Sequence, residues 1–255
     1  MNIRVFMDPW YDPALPDRAE GGIRRVVEAM IRYMPDHGIT YTRNLDEADL
    51  AVGHGVIAKR LPTQPLISHC HGLHWAEYTW PNWAHEVNGL VISALIQAQA
   101  ITVPSRWVRD AVVRSILRRP TVIHHGVEPE EWVPDEQCEE HVLWNKARAD
   151  PVSNPADMQK LALEMPEVQF LTTVGTGMSN VRVLGVLPLP DLKKYVRKAG
   201  VYLATARETF GIGTLEAMSA GVPIAGWDYG GQSEIVTDSE TGYLAPYGDY
   251  GALAD

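Results

Sequence analysis

Residues 201–227 read "VYLATARETFGIGTLEAMSAGVPIAGW". An apolar run ends at Ala206, a loop carrying Glu208 leads through Gly211 and Gly213, a helical stretch runs over 211–220, and a second apolar run follows Gly221. Strand, loop, helix and strand in that order form the crossover unit of a parallel sheet. The helical period places Ile212, Leu215 and Met218 on an inner face, and Gly221 suits the C′ position, where a left-handed residue closes a helix. A helix start attracts anions, because its first N–H groups are unpaired and the dipole is positive there. Glycines let a ligand approach the backbone closely. Two carboxylates, Glu208 and Glu216, around such a site suit a ligand that also carries hydroxyls, which a sugar nucleotide does. Local chemistry leaves a second reading open, in which Glu208 caps the helix and Glu216 is solvated.

The pattern repeats outward from this stretch. Apolar runs at "HVLWN", "VQFLTTV", "VRVLGVL", "VPIAGW" and "GYLAP" alternate with helical stretches near 155–165 and 190–199. In the N-terminal half, strands are expected at "IRVFMD", "DLAVGHG", "PLISHCH", "AITVPS" and "TVIHHGV", with helices around 86–99 and 105–117. A helix from about Gly22 carries Ile23, Val26, Val27, Met30, Ile31 and Met34 in one stripe, ended by Pro35 and Gly38. The acidic, proline-broken "EPEEWVPDEQCEEH" reads as a linker. The expected fold class is therefore α/β, with two Rossmann-like domains, residues 1–138 and 139–255, whose parallel sheets face a central cleft.

Composition narrows the function. The chain has 255 residues, 45% hydrophobic and 21% charged, within the range of globular proteins and long enough for two ordinary domains. A formal net charge of -10 argues against broad capture of nucleic acid. Two distant cysteines, Cys70 and Cys138, form no disulfide framework, and "MNIRVFMDPW" lacks the apolar run of a signal peptide. No stretch reaches membrane-spanning length, so a cytoplasmic setting is expected.

"SHCHGLHW" gathers His69, Cys70, His71 and His74. On a strand His69 and His71 share a face and Cys70 takes the other, and no second cluster completes a zinc site, so no metal is expected. "HWAEYTWPNWAH" packs Trp75, Tyr78, Trp80 and Trp83 closely; loop packing is the favoured reading and acceptor contact the minority one.

The E-x7-E spacing of Glu208 and Glu216 within "ARETFGIGTLEAMSAGVPI" resembles the donor-binding signature of retaining GT-B glycosyltransferases, especially glycosyltransferase family 4. "GGQSEIVTDSETGYLAP", "VRVLGVLPLPDLKKYVRKAGVYLATA", "ITVPSRWVRDAV" with "VIHHGVEPEEW", and "AEGGIRRVVEAM" resemble that family's other segments in the expected order. The resemblance implies transfer of a sugar, with retained configuration, from a nucleoside-diphosphate sugar (a UDP-sugar as first candidate) to a small-molecule or glycan acceptor. No further cofactor is implied. Glu208 would hold the sugar's hydroxyls, and Glu216 the ribose. The backbone of Phe210, Gly211, Ile212, Gly213 and Thr214 would receive sugar and diphosphate, and Gly22 belongs to the N-terminal glycine loop.

Lys146 and Arg148 would neutralise the leaving diphosphate in place of a divalent ion, since no Asp-x-Asp motif is present. Asn145 stands where the family's pattern has an arginine. The resemblance favours His71 as the histidine against the donor sugar, with His69 as runner-up. Alternative readings are a nucleotide-sugar epimerase of similar fold and a non-catalytic sugar-nucleotide binding subunit; transfer to a modified nucleic-acid base fits the acidic charge less well. Family members continue past the position of Asp255, so a looser hinge or a covering partner, most simply a second copy in a homodimer, is expected.

Overall fold

The structure, a computed structural model, describes residues 2–8, 21–55, 64–75 and 79–255. The chain divides into two compact units, Met1–His124 and His125–Asp255. The expected boundary at 138/139 sits later than this division. The proline-broken stretch before it is built into the second unit, because Trp132 is buried among Leu143, Val196 and Tyr202. Prolines prevent a regular period there, but one large apolar side chain is enough to anchor the segment.

The first unit contains β1 (Ile3–Asp8), α1 (Gly22–Tyr33), β2 (Ile39–Thr42), β3 (Leu50–His54), β4 (Leu66–His69), α2 (Asn82–Gln97), β5 (Ala100–Val103), α3 (Arg106–Ile116) and β6 (Thr121–Val122). Its six-stranded parallel sheet has the order β2-β1-β3-β4-β5-β6. The apolar stripe of α1 lies inward, with Val27 buried and Gly38 left-handed (φ 76°) just beyond the closing turn. Leu95 and Val91 of α2 and Val108 and Val112 of α3 pack on Leu66, Ile101 and Val103. Ser105 caps α3 by accepting from the Val108 amide at 3.2 Å.

The second unit contains β7 (Glu139–Trp144), α4 (Pro155–Glu164), β8 (Phe170–Thr172), β9 (Val181–Val183), α5 (Leu189–Lys198), β10 (Ala199–Ala204), α6 (Ile212–Ser219), β11 (Ile224–Trp227), β12 (Gly242–Ala245) and α7 (Tyr250–Ala254). The order is β12-β11-β10-β7-β8-β9, again all parallel. Successive strand residues serve opposite faces: Leu143 and Tyr202 join one apolar cluster, Trp144 and Leu203 the other. Both faces are covered, which is why these strands read as nearly continuous apolar runs.

This sheet reverses its direction of growth between β7 and β10. In an open α/β sheet the crevice for a ligand lies at such a switch point, beyond the carboxyl ends of the strands. The segments that leave these two ends are Asn145–Lys146 and Thr205–Phe210.

Candidate functional site

Beyond β7, Lys146 is locked by its own backbone. Its amide donates to Thr173 Oγ1 at 2.8 Å, and that hydroxyl donates to the Lys146 carbonyl at 2.7 Å. The side chain is 9% exposed and places Nζ 3.1 Å from Oε1 of Glu208, whose side chain is 31% exposed. Burial works against the Lys146 ammonium, but the Tyr202 hydroxyl and the Glu208 carboxylate outweigh it and hold its pKa above the ordinary lysine value. The cation therefore persists through the neutral range.

Arg148 does not join this pair. Its side chain is 82% exposed and turns to Asp150 at 2.6 Å. Asp150 also accepts from the Ser153 amide at 2.7 Å, so Arg148 braces the loop rather than reaching towards Glu208.

Beyond β10, the loop is held from three sides. Thr205 Oγ1 accepts from the buried Trp144 indole at 3.0 Å, and the Arg207 amide donates to the Val152 carbonyl at 2.8 Å. The Glu208 carbonyl accepts from the Gly231 amide at 3.0 Å. The two glycines of "GGQSEIV" make this approach feasible: a Cβ on Gly230 would stand 2.2 Å from the Glu208 carbonyl, and one on Gly231 2.1 Å from the Thr209 carbonyl. This segment after the motif therefore acts as the wall that positions the Glu208 loop.

Gly211 takes φ 95° at the N-cap of α6, and no side chain caps the helix. Glu208 is therefore not the cap; it pairs with Lys146 instead. Glu216 is not solvated either, being 3% exposed within α6. The inner face of this helix is formed by Thr214, Glu216 and Ala217, whereas Ile212, Leu215 and Met218 are half-buried. The expected face was displaced because small residues, Ala217 and Ala220, let α6 sit close on Tyr202 and Ile224.

Tyr202, within β10, carries no local sequence signal of a site role. A Cβ added to Gly213 would lie 2.7 Å from the Tyr202 hydroxyl and 4.0 Å from Asn145 Oδ1, so the first turn of α6 rests directly on these groups. Phe210 is buried against the edge of His125, with ring centroids 5.1 Å apart. Lys146, Glu208, Tyr202, Asn145 and the uncapped start of α6 thus form one constellation. It offers a buried cation, a carboxylate acceptor and a helix start with no side-chain cap, the combination an anion with hydroxyls requires.

In the first unit, His54 and His69 end the adjacent strands β3 and β4 and are register partners. His71, half-buried, meets His54 with its Nε2 2.9 Å from His54 Nδ1. Burial holds the His69 imidazole down to about 4, and its Nδ1 is bonded to Thr102 Oγ1. Burial also pushes the Cys70 thiol up to about 11, keeping it protonated. Among the described residues, no group of three or more His, Cys, Asp or Glu is arranged to hold a metal ion.

The described aromatics of this stretch pack on one another and on α3. His74 meets the edges of Trp80 and Trp83 at 4.5 and 5.1 Å, and Trp75 meets Trp107 at 5.2 Å. Gly22 is the first residue of α1. Tyr78 and residues 9–20, just before Gly21, lie outside the described residues.

Residues 160–255 match the sequence model of the glycosyl transferases group 1 family. This stretch includes Glu208, Glu216 and the whole of α6. The chain is 36% identical over 91 residues to the phosphatidyl-myo-inositol mannosyltransferase of Mycobacterium leprae, covering 35% of this chain and 24% of that protein. It is 32% identical over 123 residues to the alpha-1,3/1,6-mannosyltransferase alg-2 of Neurospora crassa, covering 47% of this chain and 25% of that one. Each match spans about a quarter of the relative's length.

Among solved structures, Anabaena HepE in complex with UDP and glucose superposes with a TM-score of 0.73 at 16% identity, covering 100% of this chain and 88% of that one. The two parallel-sheet, Rossmann-like units are thus those of GT-B glycosyltransferase structures. No helix among the described residues is long and apolar enough to cross a membrane.

Proposed function

We propose that this chain carries the donor-binding and catalytic groups of a retaining glycosyltransferase that uses a nucleoside-diphosphate sugar, with a UDP-sugar as first candidate. The observation that carries the reading is the Lys146–Glu208 pair at the β7/β10 switch point, beside the uncapped start of α6. The diphosphate would lie on the amides of Gly211–Thr214, with Lys146 supplying the positive charge. As the bond from the anomeric carbon to the diphosphate breaks, negative charge collects on the leaving oxygens. Lys146 and the helix dipole are already oriented to receive it.

The sugar passes through an oxocarbenium-like state, and the acceptor, a small molecule or glycan, attacks from the face that the diphosphate leaves, its proton passing to a departing diphosphate oxygen. Glu208 would accept hydrogen bonds from the sugar's hydroxyls, and Glu216 would grip the ribose. His71 is the first unit's candidate for contact with the reacting sugar. Arg148, directed to Asp150, would need to turn away from that partner to assist. No divalent ion has a role in this scheme.

The test is a thermal-shift panel of UDP, GDP, ADP and TDP sugars, followed by donor turnover in EDTA with and without acceptors. One nucleotide class should stabilise the protein by about 2.7 kcal/mol at a hundredfold excess over its Kd. Turnover should depend on acceptor and survive chelation. Stabilisation by no sugar nucleotide, or activity lost in EDTA and restored by Mn2+ or Mg2+, would overturn the scheme. Interconversion of the donor without acceptor would indicate an epimerase.

A further inference from the structure

The meeting of His54 and His71 has a geometry of its own. His54 Nδ1 lies 2.9 Å from His71 Nε2, the ring centroids are 5.2 Å apart, and the ring planes differ by 19°. The centroid separation exceeds the N···N distance by about one ring width, so the hydrogen bond runs in line between two nearly coplanar imidazoles rather than between stacked faces. His54 is 3% exposed, and the ring of His69 lies against it at 4.7 Å. His69 in turn is held by Thr102 on β5. One imidazole is thus clamped inside the sheet ends and grips a second that is half-buried.

A neutral imidazole has one donor nitrogen and one acceptor nitrogen, and the bond made at one decides what the other presents. His71 engages His54 through Nε2. We propose that His54 is a positioning residue, which sets the ring plane and the tautomer of His71 through this in-line bond. The inference rests on the reading of His71 as the contact to the sugar. It adds that His71 depends on His54 for its orientation. A buried side chain that orients a working histidine acts like the outer partners of metal-bound histidines, whose loss costs about 10–100-fold.

The experiment uses the full chain with 15N-labelled histidine, read by two-bond 1H–15N correlation, with the His71 signals assigned against His71→Ala. The variants are His54→Asn, which keeps a polar atom near the Nδ1 position, and His54→Leu, which does not. A single neutral tautomer of His71 is expected in the wild-type protein and in His54→Asn, and a mixture in His54→Leu. Turnover should fall on the order of 10-fold in His54→Leu with donor KM unchanged, and His54→Asn should recover part of it.

A tautomer mixture in the wild-type protein overturns the inference, and that measurement stands even if His54→Leu does not fold. A single tautomer retained in His54→Leu overturns it as well, as does full turnover of His54→Leu when His71→Ala is impaired. Full turnover of His71→Ala would instead remove the underlying reading of His71 while leaving the tautomer result standing.

Discussion

The ammonium of Lys146 stands 3.1 Å from a carboxylate oxygen of Glu208, 62 positions away in the chain. The pair is asymmetric, since the lysine side chain is 9% exposed and the glutamate 31%. A phosphate oxygen entering at the start of α6 would compete with Glu208 for the ammonium, leaving Glu208 to accept from a sugar hydroxyl. In the proposed scheme the buried cation is thus held by a group that a bound donor would displace.

Truncating the two partners should have opposite balances of effect. Lys146→Met leaves a carboxylate that water can reach, so stability should change by about 1 kcal/mol or less, while turnover falls on the order of 10²–10³-fold. Glu208→Gln leaves a buried cation without its counter-charge, at about 1–3 kcal/mol. The double variant should be more stable than Glu208→Gln alone. Urea unfolding of the set checks this order, and a Lys146→Met protein less stable than Glu208→Gln would contradict the asymmetry.

Kinetics should separate the two glutamates. Glu208→Gln should lower kcat and leave nucleotide affinity nearly intact, because the hydroxyls proposed to bond it belong to the reacting sugar. Glu216, buried within α6, should mainly affect KM and nucleotide Kd, since its proposed ribose contact would be equal in the ground and transition states. Calorimetric titration with nucleotide, alongside steady-state rates, measures both. Equal effects of the two substitutions on nucleotide affinity alone would refute the division.

Two glycine substitutions should act with opposite sign. A Cβ on Gly231 would lie 2.1 Å from the Thr209 carbonyl and 2.5 Å from Phe210 Cα, both backbone atoms that cannot yield without moving the Glu208 loop. Gly231→Ala should destabilise by about 1–3 kcal/mol and lower activity together with it. Gly89, in α2, has nothing within 4 Å of an added Cβ, so Gly89→Ala should stabilise by about 0.5–1 kcal/mol through helix propensity. Denaturation midpoints of the two variants moving in the same direction would count against this account.

Acid should weaken the first unit through His69. Burial lowers its pKa from 6.5 to about 4. Between those values the unfolded chain takes up a proton that the folded protein refuses. Stability contributed by the neutral ring is therefore present above pH 6.5 and is lost as pH falls towards 4, at on the order of 1 kcal/mol per unit. Replacement by a neutral group, His69→Asn, should flatten the stability profile across this window, whatever it does to absolute stability. An unchanged slope would place the titrating group elsewhere.

Much of the architecture is legible in local pattern. The apolar runs at 3–8, 50–54, 66–69 and 100–103, and those of the second unit, all appear as strands near the expected places. The helical stripe of α1 ends where Pro35 and Gly38 require. β2 has no legible signal because its four residues, "ITYT", none of them buried, are too short to show a period. The acidic segment around Trp132 was read as a linker because composition cannot reveal that one tryptophan finds a core.

The site divides in the same way. Glu208, Gly211 and the start of α6 could be placed from the sequence, because strand end, glycine turn and helix are consecutive. The sequence alone proposed Lys146 and Arg148 on equal terms. Only the tertiary structure separates them, since each cation's partner depends on which strand end lies beside it. Tyr202 beneath Gly213, Gly231 against Thr209 and His54 bonded to His71 likewise have no local signature. Periodicity and turn chemistry act over a few residues and name the elements. The crossovers that bring distant strand ends together settle which side chains touch, and burial at those junctions then shifts their protonation.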